Sequence, residues 1–212
     1  LVLRARALAA SGQSAQAYGL LGPLRQQQAL SESRLSELET RLAAASLHEA
    51  SDGNALAERW DALSTGAKSE PRVVIAYAER AAAQGWDEAA IRSIENALDA
   101  RWDERLAAHY ARLPVGRLAA RRASAERWLS THPSSPALLL ALARLLRQQG
   151  DTTQADDYLS RALAQGAGGD AWEESGHACV VVGDDTRARI AYANALRASR
   201  GEAVEQGAAP SA

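Results

Sequence analysis

The chain has 212 residues, 47% of them hydrophobic and 24% charged, with a formal net charge of −2. That balance excludes a disordered polar chain and a globally basic nucleic-acid binder, and no run reaches the 18 or more apolar residues of a membrane span. One cysteine, Cys179, excludes an internal disulfide framework. The sequence contains no Met and begins in mid-pattern with Leu1-Val2-Leu3, so it is expected to be a fragment of something longer.

Apolar spacing predicts helices throughout. Residues 1–11 and 14–27 read as a first helical hairpin turning at Gly12, with Ala5 before it and Ala17 and Leu21 after it. Residues 31–49 follow as an amphipathic helix carrying Leu35, Leu38, Leu42, Ala45 and His48 at spacings of three and four. Ser51-Asp52-Gly53 breaks it, and residues 54–64, with Leu56, Trp60 and Leu63, supply its partner. Thr65 to Pro71 has the composition of a linker. A third hairpin turns at Gly85, with Val74, Tyr77 and Ala78 before it and Ala90, Ile94, Ala97 and Leu98 after it. A fourth, 103–133, is centred on Gly116; there Arg121 stands where the other units place a small residue, which predicts different packing.

The last two hairpins, from Pro136 to Ser199, repeat one another. With Gly150-Asp151 laid on Gly183-Asp184, Ala155 matches Ala188, Leu159 matches Tyr192, Ala162 matches Ala195 and Leu163 matches Leu196, a period of 33 residues. Small residues at such places let helix axes approach to about 8 Å, and a Gly ending the first helix supplies a left-handed cap. A unit of about 34 residues with this pattern resembles the tetratricopeptide repeat, TPR. The expected fold is all-α, an α-solenoid wound as a right-handed superhelix of about six TPR-like hairpins. It forms one domain over 1–200, with 201–212 a flexible tail.

Constellations for catalysis are missing. There is no Gly-rich phosphate loop after a strand, and Gly166-Ala167-Gly168-Gly169 reads as a connection between helices. His177 and Cys179 lie two apart on a helix and so face different ways, which does not suit a shared metal. The expectation is a protein that is not an enzyme and holds no cofactor or metal. Between Arg101 and Arg127 seven arginines stand against three acids, a net of +4 that leaves −6 for the remainder. Arg112, Arg117, Arg121 and Arg122 form the centre of this candidate basic patch, read either as a solvated face or as a site for an acidic partner or anionic lipid. Counting back from each turn glycine gives the first-helix positions that such an array turns inward. They are Arg72, Ile75, Glu79 and Ala82 in the third unit, Leu140, Arg144, Arg147 and Gln148 in the fifth, and Glu173, His177, Val180 and Val181 in the sixth. The candidate partner-binding groove is Arg72, Glu79, Arg144, Arg147, Gln148, Glu173 and His177, and the expected ligand is a helix or extended segment of another protein rather than nucleic acid.

The order of features from the third hairpin onward is similar to that of the HemY family of proteobacterial inner-membrane TPR proteins. The residues that carry it are Val73 to Ala78, Gly85 to Leu98, Trp102 to Leu106, Ala125 to Leu129 with His132-Pro133, and Leu138 to Leu145. The resemblance covers most of the chain and is strongest over 71–198. It implies two transmembrane helices N-terminal to this piece, a TPR domain facing the cytoplasm of a Gram-negative bacterium, and a scaffold that gathers enzymes of late haem (protohaem) biosynthesis at the inner membrane. It supplies no catalytic residues. Two other readings stay open: a porphyrin or haem carrier using His177 or His109, and a generic TPR adaptor in envelope assembly.

Overall fold

The computed structural model describes residues 1–113 and 116–205, and these are helical with no strand among them. The chain divides into two compact units, 1–106 and 107–212. In each, helices adjacent in sequence pack as antiparallel neighbours joined by short turns, the arrangement of an all-α helical-hairpin solenoid.

The first unit contains α1 (Val2–Ala10), α2 (Ser14–Tyr18), α3 (Leu21–Gln26), α4 (Glu32–His48), α5 (Gly53–Asp61), α6 (Thr65–Lys68), α7 (Pro71–Ala83) and α8 (Asp87–Ala100), and it ends within α9 (Glu104–Tyr110). Ala5 and Ala17 are fully buried where α1 crosses α2, and Leu24, Leu35, Leu38 and Leu42 fill the space around them. Two features depart from expectation. The helix expected over 14–27 is split at Gly19–Leu20, because Pro23 has no N–H to give the Gly19 carbonyl and its ring crowds that position. The expected linker 65–71 contains the turn of helix α6, nucleated by Ser64, whose Oγ accepts from the Ala67 N–H at 3.1 Å.

The second unit continues with α10 (Leu118–Thr131), α11 (Pro136–Gln148), α12 (Thr152–Ala164), α13 (Gly169–Val181) and α14 (Asp185–Ser199). α11 is apolar nearly all round, and it is buried nearly all round, between α10 on one side and α12 on another. Leu139, Leu142 and Leu146 are each almost completely buried, worth about 1.5–3 kcal/mol apiece. The turn chemistry follows the repeat. α11 ends with Gly150 at φ +85°, which lets the Gly150 N–H reach the Arg147 carbonyl and the Asp151 N–H reach the Leu146 carbonyl, both at 3.0 Å. Asp151 then caps α12 through the Gln154 N–H at 3.1 Å. Gly183, Asp184 and Arg187 repeat the device 33 residues later, and the same pair of backbone bonds closes the turns at Gly12, Gly85, Gly166 and Gly201. Among the described residues of the fourth hairpin, Arg117 is left-handed, at φ +50°.

The repeat is regular in sequence but not in burial. Leu159 of α12 is fully buried and Leu163 is half-buried, packed against both Ala171 and Trp172 of α13 and their neighbours. Their counterparts in α14, Tyr192 and Leu196, are exposed, Leu196 at 53%. Beyond α14, Glu205 is tied back: its N–H donates to Asn194 Oδ1 at 2.8 Å, its carbonyl accepts from Asn194 Nδ2 at 2.9 Å, and its carboxylate meets Arg197 at 2.7 Å. Within the expected tail, Glu205 is therefore bonded to the last helix. Its residues 206–212 fall outside the described residues.

Candidate partner-binding cleft

Four of the groove positions counted from the turn glycines, three on α11 and one on α13, open onto one cleft. In the second unit Arg144, Arg147 and Gln148 from the C-terminal half of α11 face Asp170, Glu173 and Glu174 from the first turns of α13, with Ala111 and Arg112 completing a hollow of about 480 Å³. α11 presents these residues because its other faces are occupied by leucines, so the polar stripe is all that remains for the open side.

The cleft's charges are mostly committed within the chain. Glu174, 14% exposed, accepts from Arg144 Nε at 3.0 Å with one oxygen and from Arg147 Nη1 at 2.5 Å with the other. Arg147 also donates to Asp156 Oδ1 of α12 at 2.8 Å and to the Glu174 carbonyl at 3.3 Å. Arg112 is paired with Asp170. Asp156, on α12, is thus a third carboxylate committed to the cleft's arginines. Glu173 and Gln148 are exposed, and their side chains make no hydrogen bond or ion pair among the described residues. Leu140, expected to face inward, is instead buried in the core with Leu139 and Leu159.

Along α13 the positions four, seven and eight beyond Glu173 are His177, Val180 and Val181, all exposed, Val181 at 80%. The His177 ring meets the edge of Tyr192 at 5.7 Å. Cys179, between them in sequence, is turned into the core, and burial pushes its thiol up, away from the reactive thiolate. His177 and Cys179 do not converge, and among the described residues no group of His, Cys, Asp and Glu is placed to hold a metal ion. No described helix is long and apolar enough to cross a membrane.

The remaining candidates lie elsewhere. Arg72 and Glu79 are exposed on α7 in the first unit, Glu79 lying 3.9 Å from His48 Nε2. Of the candidate basic patch, Arg112 and Arg117 are exposed, Arg112 with Asp170 as its partner. Arg121 is 0% exposed, its guanidinium donating to the Tyr110 carbonyl and resting 5.0 Å above the Tyr110 ring, so it contributes nothing to the surface. Arg122 is held by Glu126 at 2.7 Å and reaches Gln154 at 3.3 Å. A second hollow, of about 410 Å³ and not foreseen from sequence, opens in the first unit between Trp60, Lys68, Pro71, Asn96 and Arg101. The Trp60 ring there lies 4.2 Å from Tyr77 and beneath the Lys68 ammonium.

No protein-family model matches the chain, and no curated protein matches it.

Proposed function

We propose that this chain is a non-catalytic scaffold of the TPR type that binds a segment of another protein in the α11–α13 cleft. The observation that carries the reading is that cleft itself: an open, polar hollow between the first helices of two neighbouring hairpins, framed by arginines bonded to Glu174. The 33-residue recurrence of the glycine turn and of the following Asp cap supports repeats of TPR kind. The likeness of residues 71–198 to the HemY family extends the proposal to the partners: enzymes of late haem biosynthesis, gathered at the cytoplasmic face of a bacterial inner membrane by a membrane-anchored parent protein.

The test is a crosslinked pull-down of the full-length protein from its own host, wild type against Gln148→Trp. Gln148 is exposed at the rim, so the indole fills the cleft without entering the core. Recovery of haem-pathway enzymes with wild type and their loss with the folded variant is the expected result. Their absence from both removes the tie to haem, and their retention by the variant moves binding off the cleft.

A second reading, a porphyrin or haem carrier, is favoured by one observation: His177 is exposed beside the aliphatic surface of Val180 and Val181 and the ring of Tyr192. Titration with haemin would then shift the Soret band, and His177→Ala would abolish the shift. A Soret band that His177→Ala leaves unaltered removes this reading.

A further inference from the structure

We propose that the cleft selects a partner segment presenting a Lys or Arg to Glu173 and an aliphatic side chain to Val180 and Val181, about 10 Å further along α13. The inference rests on the protein-binding reading and specifies the chemistry of its partner.

Three arginines line the hollow, and a count of charges alone suggests an acidic ligand. The geometry points the other way. Arg112, Arg144 and Arg147 are each already matched by a carboxylate of the same chain. Those carboxylates already neutralise the guanidinium groups, so an incoming acid gains little from them, and one that displaced Glu174 would leave a largely buried carboxylate without its cations. An incoming cation displaces nothing. Glu173 is exposed on the cleft wall with no partner among the described residues, and Gln148 opposite it has an amide free to accept or donate. A Lys or Arg entering there meets an uncommitted carboxylate, and electrostatic complementarity of this kind governs which partners are rejected.

The second half of the rule comes from the same helix face. Val180 and Val181 follow Glu173 by seven and eight residues, two turns on, and at 1.5 Å per residue they lie about 10–12 Å away. They are 52% and 80% exposed, an aliphatic surface open to an apolar side chain of a partner on the helix that also carries Glu173. A partner spans that distance with about three residues if extended, or about seven if helical.

The probe is a displayed library of random 12-residue peptides, selected in parallel on the immobilised chain and on its Glu173→Lys variant. The variant alters an exposed side chain with no hydrogen bond or ion pair to lose among the described residues, and an unchanged far-ultraviolet melt confirms its fold. Peptides enriched on wild type should carry Lys or Arg three or seven positions from Leu, Ile or Val, and on Glu173→Lys that basic preference should vanish. A synthetic peptide of the wild-type consensus should bind Glu173→Lys about ten-fold more weakly, and Val180→Ser with Val181→Ser should weaken it while keeping the demand for a cation. Acidic peptides enriched on wild type, or a basic preference unaltered in Glu173→Lys, overturn the inference and leave the protein-binding reading standing. No enrichment on wild type over bare support overturns both.

Discussion

Arg121→Ala should destabilise the second unit strongly, while Arg121→Met should not. The wild-type guanidinium is fully buried, donates to the Tyr110 carbonyl and lies 5.0 Å over the Tyr110 ring, which in turn meets Trp128 edge-on at 5.2 Å. Truncation to Ala removes a charge-assisted hydrogen bond of about 1.5–3 kcal/mol and a desolvated cation–π contact of about 2 kcal/mol. It also opens a cavity of roughly 100 Å³, worth about 2 kcal/mol at 24 cal/mol per Å³. Against these stands relief from burying a charge, several kcal/mol, so the expected net loss is about 2–4 kcal/mol. Met keeps most of the volume and also sheds the charge, so its net change should stay within about 1 kcal/mol, as in other swaps of buried ions for apolar residues. Urea unfolding followed by Trp fluorescence measures both. Met and Ala variants with equal losses would refute the argument, since the side chain would then matter for its charge and not for the space it fills.

Gly150→Ala forces a residue with a Cβ to φ +85° and should cost about 1–2 kcal/mol. Gly66→Ala, inside α6 with no side-chain obstruction closer than 3.9 Å, should stabilise by up to about 1 kcal/mol in the same melt. Glu49→Ala removes the acceptor of both the Ser14 N–H, at 2.8 Å, and the Ser14 hydroxyl, at 2.6 Å. Leaving those buried donors unpaired should cost about 1–3 kcal/mol and raise hydrogen exchange across α2 before any other helix. Asp103 is held below the usual carboxylate range by the Arg105 guanidinium and by the N–H groups of Arg105 and Leu106. A carboxyl with a depressed folded pKa stabilises the fold above its unfolded value, near 4, and loses that contribution as pH falls through the folded value. Asp103→Asn should therefore lower the urea midpoint at pH 6, and its difference from wild type should close as the pH is taken towards 2.

The hairpins were legible because they rest on backbone requirements that few residues meet. Only glycine enters φ near +80° without strain, so Gly85, Gly150 and Gly183 announce their turns, and the small residues at Ala155 and Ala188 announce the crossings. Where a helix end depends on a common residue the signal fades. Ser64 caps α6 within a stretch whose Gly, Ser and Pro otherwise read as linker, and one Pro at 23 divides what apolar spacing alone joins. The cleft was legible in position and not in charge. Arg144, Arg147, Gln148 and Glu173 come together as counting from the glycines predicts, but Glu174 and Asp156 sit at positions that the counting skips. Those two carboxylates decide which charges remain available. Arg121 was flagged as irregular because it replaced a small residue; that it lies inside, against an aromatic face, follows from Tyr110 being eleven residues earlier across a turn, a proximity that spacing does not reveal.

The uncovered flank of α14 has a consequence for how the cleft behaves. In a stack whose coupling runs only between adjacent hairpins, α11–α12 is held by a neighbour on each side, while α13–α14 within these residues is held on one, with Leu196 and Tyr192 left wet. The α13–α14 hairpin should open at a lower free energy than the one before it, its amides exchanging faster than those of α11. Glu173, Val180 and Val181 ride on that hairpin. A partner that grips them stabilises it by mass action, so occupancy of the cleft should be readable as slowed exchange in α13 and α14.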